Sequence, residues 1–277
     1  MPVRIVQSKQ NGRLKELRRA MAHPGREARG LAAIEGPNLL GEALRAGLRI
    51  DCTFVAQEAQ HLLDGFHLPP ETDVLLVPNE LLTSALATET PQPVAALVEP
   101  FDWIWRDILQ GGVEDSNQAP PLIVVLAGLQ DPGNLGAIVR SAEAFGATGI
   151  VCLPGTASAW NPKAVRASAG SVFRVPLLSV SAEEVFAHLR EARVKILTTA
   201  LRDAEPADHA DLAGPVAFLI GNEGNGVPAE LAAQADAAVT IPCPGPVESL
   251  NASVAASVLL YEASRQRSAK VTVRGSR

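Results

Sequence analysis

The stretch from residue 122 onward constrains the fold most. Leu122-Ile-Val-Val-Leu-Ala127, Gly149-Ile-Val-Cys-Leu153 and Val216-Ala-Phe-Leu-Ile220 are short, nearly unbroken apolar runs. A strand that is apolar on both faces needs both faces covered, as in a parallel sheet flanked by helices. Val194-Lys-Ile-Leu-Thr-Thr199 and Ala237-Ala-Val-Thr-Ile241 extend the set to five strands. Helical patterns fall between them at residues 135–145, 162–169 and 181–192. Ser181 suits the cap of the last of these, with Glu183 and Glu184 at its positive end. A final helix is expected from about Asn251 to Arg267. No period of roughly 20–50 residues recurs, so the chain is not a repeat array.

The first hundred residues alternate too, but more weakly. Leu14, Leu17 and Met21 share a helix face, with basic residues between. Ala32-Ala-Ile-Glu35 reads as a short strand, after which Gly36-Pro37 opens a helix with Leu39, Leu40, Ala43 and Leu44 on one side. Cys52-Thr-Phe-Val-Ala56, Val74-Leu-Leu-Val77 and Val94-Ala-Ala-Leu-Val98 are further strands. The pattern then breaks: Phe101-Asp-Trp-Ile-Trp105 is followed by Gly111-Gly112, an acidic-polar patch and Pro120-Pro121. The expected division is therefore a domain at 1–100, a linker at 101–121 and a second domain at 122–277. The chain's 277 residues suffice for two cores.

Composition narrows the class. Hydrophobic residues are 47% and charged residues 19%, which is globular. No run approaches the ~18 apolar residues of a membrane span, and no apolar stretch of signal-peptide length precedes the first charges. Three cysteines, Cys52, Cys152 and Cys243, lie far apart and suggest neither a disulfide framework nor a zinc site. A soluble cytosolic protein is expected. The net charge of −6 is uneven: residues 1–30 hold eight Lys or Arg against two acids, and residues 265–277 hold five and none. Two readings stand, contact with a polyanion through a basic face, or solvated basic ends on an acidic enzyme.

Three segments lie just after strands, where open parallel sheets bind their ligands. In Gly128-Leu-Gln-Asp-Pro-Gly-Asn-Leu-Gly-Ala-Ile-Val-Arg140, the Asp-Pro-Gly-Asn turn leads into a helix. Asn134 is expected at the helix cap, where capping alone is a sufficient reason for it. Arg140 sits about two turns in, where a solvent-facing residue is unremarkable. In Leu219-Ile-Gly-Asn-Glu-Gly-Asn-Gly-Val-Pro228, three glycines within six residues suit a backbone wrapped around a ligand. The spacing is not the dinucleotide fingerprint, and the chain has no phosphate loop. In Ile241-Pro-Cys-Pro-Gly-Pro-Val-Glu-Ser-Leu-Asn251, prolines stiffen a loop ending at the last helix, where Ser249 or Asn251 serves as a cap. Cys243 has no obvious His partner and reads as packing.

Together, Asn134-x-Gly136-x-x-x-Arg140, Gly221-Asn-Glu-Gly-Asn-Gly226 and Ile241-Pro through Ser249-Leu-Asn251 resemble the three signature motifs of the SPOUT superfamily, SpoU branch. These are S-adenosylmethionine-dependent RNA ribose 2′-O-methyltransferases. The resemblance spans about residues 122–267. More weakly, the N-terminal stretch with Ile34-Glu-Gly-Pro-Asn38 is similar to the ribosomal-protein-like α/β RNA-binding domain of many members. It implies a C-terminal parallel-sheet domain with a deep trefoil knot, which periodicity cannot reveal and general topology rules disfavour. Gly221, Ile241 and Leu250 would line the S-adenosylmethionine pocket, and no metal is needed. Arg140 would act on the 2′-hydroxyl, as base or as a grip on phosphate and alkoxide charge, with Asn134, Glu223, Ser249 and Asn251 fixing it and the ribose. A homodimer packed through the knotted domain is implied, and the stripe of Val254, Val258 and Tyr261 is compatible with it, although such a stripe on its own is more often plain core. The RNA substrate is expected to be ribosomal. The alternatives are transfer RNA, a non-catalytic RNA-binding relative, or a nucleotide-dependent enzyme of doubly wound type.

Overall fold

A computed structural model describes residues 3–24, 30–86, 88–110, 119–247 and 249–274. In chain order the first elements are Val3–Ile5 (β1), Gly12–Ala22 (α1), Ala32–Glu35 (β2), Pro37–Arg45 (α2), Arg49–Ala56 (β3), Asp73–Val77 (β4), Asn79–Thr83 (α3) and Val94–Glu99 (β5). Then come Trp105–Gln110 (α4), Leu122–Leu126 (β6), Pro132–Ala144 (α5), Gly149–Cys152 (β7), Pro162–Ser168 (α6), Leu177–Ser179 (β8), Ala182–Glu191 (α7) and Lys195–Thr199 (β9). The last are Glu205–Pro206 (β10), Val216–Ile220 (β11), Ala229–Ala232 (α8), Ala237–Thr240 (β12) and Ala252–Arg274 (α9). The chain forms two compact units, one of Met1–Asp102 with Ser158–Arg174, the other of Trp103–Ala157 with Val175–Arg277.

The first unit is built on a mixed sheet of order β1-β4-β3-β5-β2. β1 and β3 run parallel to β4, while β5 is antiparallel to β3 and β2. Its other four strands, β2 to β5, are those the apolar runs indicate; β1, three residues long and at one edge, was not expected. α1 is capped by Asn11, whose Oδ1 accepts from the main-chain N–H of Arg13 and Leu14. It buries Leu14, Leu17 and Met21, the face its spacing demands. One basic residue of this region is spent internally, since Arg13 donates to Asp51 at 2.8 Å and Glu16 at 2.9 Å.

The segment Ser158–Arg174, expected within the second domain, clusters with the first unit instead. Its α6 packs on β2, Ala164 and Val165 are buried, and Phe173 is 1% exposed beneath Trp160. Arg174 ties the segment's end to Glu42 of α2 at 2.7 Å. An apolar helix belongs to whichever sheet buries it, and local pattern does not say which.

The second unit's sheet is all parallel, in the order β10-β12-β9-β11-β6-β7-β8. The five expected strands are its contiguous middle; the unexpected β8 and β10, three and two residues long, are its edges. Ile123, Val125, Val151, Phe186, Leu189, Ile196 and Leu219 form the core between the sheet and α7. Part of the expected linker belongs to this core. α4 buries Ile108 completely, and a Cβ on Gly149 of β7 would lie 2.7 Å from the Ile108 Cδ1 atom. The linker reading fails because Ile104 to Leu109 carries helical spacing that the aromatic and glycine signals mask; residues 111–118 lie outside those described.

On the opposite face, α9 packs along α5 and buries Leu259, Leu260 and Ala263. Its far half is riveted by Arg267, which donates to the carbonyls of Pro120 at 2.6 Å, Pro121 at 2.9 Å and Gly214 at 2.7 Å. Burial pushes that guanidinium down to about 10. No helix among the described residues is long and apolar enough to cross a membrane.

Candidate active site

The three segments after β6, β11 and β12 converge. α5 begins at Asp131, whose Oδ1 accepts from the Gly133 N–H at 2.6 Å, with Pro132 in the first helical position. Asn134 is therefore not the cap, contrary to the expectation from its turn context. Its side chain is free to reach outward, donating through Nδ2 to Glu223 Oε1 at 2.8 Å and accepting at Oδ1 from Asn251 Nδ2 at 3.1 Å. Asn251 does cap α9, since its Oδ1 accepts from the N–H of Ser253 at 2.8 Å. The two roles of Asn251 use different atoms of one amide and do not compete.

Glu223 closes the other end of this relay. Partial burial pushes its carboxyl up, but the Asn134 amide and the main-chain N–H groups of Glu223, Gln130 and Asp131 outweigh that and hold it below the usual glutamate value. It is thus ionised at neutral pH. The loop carrying it, residues 221–227, folds back on itself: Asn222 and Gly226 exchange main-chain hydrogen bonds at 3.2 and 3.1 Å. Asn222 Oδ1 accepts from the N–H of Gly224 at 3.0 Å and Asn225 at 2.7 Å. Gly226 has φ +66°, the left-handed region that favours glycine. Gly221 is glycine for a different reason, because a Cβ there would sit 1.9 Å from the Gly226 carbonyl carbon.

This loop forms one wall of a cavity of about 760 Å³, within the size range of small-molecule sites. Gly221, Ile241 and Leu250 all line it, as do Glu223 and Ser249. Apolar side chains from Ile220, Val239, Ala255 and Leu259 contribute to its wall. The end of β9 also lines it, through Thr198, Thr199, Ala200, Leu201 and Arg202. Sequence reading missed this contribution; the one available signal was a polar Thr-Thr pair closing an otherwise apolar strand. Cys243 was expected as packing and is instead exposed at the cavity, because the proline-flanked loop keeps it on the surface. The thiols of Cys52 and Cys152 are buried, and burial pushes both up to about 12.

Arg140 stands apart. It is exposed on α5, does not line the cavity, and has no hydrogen bond or ion pair among the described residues. Ser249 lines the cavity but joins neither neighbour in the Asn251–Asn134–Glu223 relay. Near Arg140 in sequence, Phe145 meets Tyr261 edge-on at 5.7 Å, and Ser141 and Ser257 share a hydrogen bond at 2.7 Å. Val254, Val258 and Tyr261 are exposed at 47%, 38% and 54%, so the stripe is surface and not core.

Comparison with known proteins agrees in both halves of the chain. The SpoU rRNA Methylase family matches residues 121–261, and the MRM3-like substrate binding domain matches residues 11–96. The 23S rRNA (guanosine(2553)-2′-O)-methyltransferase RlmP of Bacillus subtilis is 29% identical over 92% of this chain and 97% of its own. An uncharacterized tRNA/rRNA methyltransferase of Mycolicibacterium vanbaalenii is 33% identical over 84% of this chain and 76% of its own. Among solved structures, the AdoMet-bound rRNA methyltransferase of Sinorhizobium meliloti is 31% identical and superposes with a TM-score of 0.80 over 95% of this chain and 98% of that one. The SpoU methyltransferase AviRb of Streptomyces viridochromogenes, in complex with AdoMet, has a TM-score of 0.81 at 27% identity, over 93% and 98%.

Proposed function

Because the chain belongs to the SpoU rRNA methylase family, we propose that it transfers a methyl group from S-adenosylmethionine to a ribose 2′-hydroxyl of large-subunit ribosomal RNA in the cytoplasm. The observation that carries this reading is the Asn251–Asn134–Glu223 relay at the rim of the cavity that Gly221, Ile241 and Leu250 line. The cavity suits the cofactor: it is large enough, glycines and apolar residues contribute to its lining, and the buried hydroxyl of Thr198 there has no partner among the described residues. When bound, S-adenosylmethionine supplies a methyl carbon made electrophilic by the adjacent sulfonium.

The chain's own residues must then align a hydroxyl and ease loss of its proton. Asn134, Asn251 and the ionised Glu223 hold the ribose edge at the cavity mouth, with Ser249 beside them. Arg140 grips the neighbouring phosphate through its planar fork and stabilises alkoxide charge as it develops. Because a guanidinium does not deprotonate in proteins, Arg140 steadies the developing alkoxide while the hydroxyl proton passes to solvent water at the cavity mouth. Its exposed position on α5, along which α9 packs with Val254, Val258 and Tyr261 exposed, supports action on a second copy's cavity, in a homodimer packed through α5 and α9. The convergence of the 221–227 loop and the 241–251 segment on one cavity is compatible with the family's knot. Residues 1–100 bind the RNA, with Lys15, Arg18 and Arg19 of α1 off its buried face.

The test is methyl transfer from labelled S-adenosylmethionine to ribosomal RNA, with calorimetric titration of S-adenosylmethionine against NAD and ATP. Incorporation that protects one phosphodiester from alkaline cleavage supports the reading. Labelling of transfer RNA alone rejects the ribosomal substrate, and binding without transfer to either leaves a non-catalytic relative.

A further inference from the structure

Thr198 lines this cavity and takes no part in the relay. It lies near the end of β9, hydrogen-bonded on either side to β11 and β12, with Leu219 and Ala238 as its register partners. It lines the cavity, it is 6% exposed, and its Oγ1 is closed off from solvent with no hydrogen-bond partner among the described residues. Its neighbour Thr199 is different, donating to the Leu219 carbonyl at 3.1 Å. A valine fills the same space, so a buried hydroxyl without a partner is a cost that packing does not explain.

We propose that Thr198 is a binding residue for the nucleoside half of S-adenosylmethionine, its hydroxyl pairing with the polar edge of the adenosine when the cavity is filled. The inference rests on the cofactor reading above. The apolar wall of Ile220, Val239, Ala255 and Leu259 suits a planar purine, which buries its faces and must satisfy its edge. The charged amino-acid end belongs at the exposed rim, where Arg202, Cys243 and Ser249 stand. Because Thr198 sits in the wall, one χ1 step between staggered wells is the most its side chain needs to present the hydroxyl.

The test uses the full chain and two variants, Thr198→Val and Thr198→Ser. Calorimetry would measure affinity for S-adenosylhomocysteine, which carries the whole skeleton, and for 5′-methylthioadenosine, which lacks the amino-acid end. Thermal melting without ligand would be measured alongside. Thr198→Val should melt no lower than the wild type, since it removes an unpaired buried hydroxyl, and should bind both ligands roughly three- to tenfold more weakly. Thr198→Ser, which keeps the hydroxyl, should bind more tightly than Thr198→Val. A purely structural role predicts the reverse pairing, a lower melting temperature with affinity unchanged, and overturns the proposal. A loss confined to S-adenosylhomocysteine overturns the assignment to the nucleoside. A wild-type chain that binds neither ligand rejects the cofactor reading itself, and this inference with it.

Discussion

The cavity rim and the outer face of α5 and α9 both carry motif residues, and they are finished to different degrees. At the rim, Asn134, Glu223 and Asn251 satisfy one another within a single chain, and the 221–227 loop is locked by its own hydrogen bonds. Less than two turns further along α5, Arg140 points into solvent without a partner among the described residues. Exposed Val254, Val258 and Tyr261 lie on α9, which packs along α5. The difference separates two jobs. On the function proposed above, the rim keeps its polar groups prearranged within one chain, while Arg140 awaits a group that only the substrate or a second copy brings.

The most severe way to break the prearranged region is Gly221→Ala. Its new Cβ would lie 1.9 Å from the Gly226 carbonyl carbon, 2.1 Å from the Gly226 oxygen and 2.2 Å from the Val227 nitrogen. All three are backbone, so no rotamer relieves the clash, and overpacking of this kind costs about 3 kcal/mol. The damage is to the loop's own hairpin, not to a contact between side chain and ligand. Calorimetric binding of S-adenosylhomocysteine should be lost, with far-UV circular dichroism reporting whether the rest stays folded. Wild-type affinity would mean that the loop yields, and would remove rigidity from the comparison.

Arg140→Ala probes the other region and should do the opposite. Cofactor affinity should stay within about twofold, while single-turnover methyl transfer falls roughly 10²–10³-fold, the effect of losing one preorganised donor. Arg140→Lys should rescue poorly, because an ammonium lacks the planar fork. If Arg140 were a plain surface residue, it would contribute roughly 0–1 kcal/mol and turnover would stay near normal. Mixing sharpens the contrast. If Arg140 serves a second copy's cavity, Arg140→Ala and Gly221→Ala chains, each inactive, should recover about a quarter of wild-type activity together, since half the dimers are mixed and each has one intact site. No recovery would confine Arg140 to its own chain.

The same contrast decides what could be read in advance. Long apolar runs announce their burial, so the five middle strands of the second sheet were legible, and so was the buried face of α1. The edges β8 and β10 and the short β1 were not, because two or three residues carry no periodicity and pair only where a neighbour offers an edge. Residues 158–174 show the same limit one level up, since Val165 and Phe173 are apolar whichever sheet covers them. At the site, Gly221, Glu223, Ile241, Ser249 and Leu250 share one cavity while Arg140 lies off it, and the cap of α5 falls on Asp131 and not on Asn134. Asp131 and Asn134 are both good caps, and the choice turned on Pro132, whose fixed φ suits the first helical position and sets the cap one residue before it. Thr198 went unnoticed because a β-branched residue in a strand looks ordinary until its hydroxyl is seen to lack a partner.

The smallest expected effect belongs to Glu223→Gln, which keeps the shape of the relay and removes its charge. Hydrogen bonds from Asn134 and three main-chain N–H groups outweigh partial burial and hold the folded carboxyl below its ordinary value. For an acid shifted this way, the added stability is complete above the unfolded value, roughly pH 5 and higher, and is lost as pH falls through the folded one. The glutamine variant lacks that contribution at every pH. Urea unfolding should therefore place it slightly below the wild type at pH 7, by well under about 1 kcal/mol because the group is largely solvent-screened. The two curves should converge on acidification, since protonated Glu223 and Gln present the same uncharged acceptor to Asn134. A gap that persists at acid pH would assign the effect to shape instead of charge. A gap that widens would mean the carboxyl is held above its ordinary value, reversing the electrostatics of the rim.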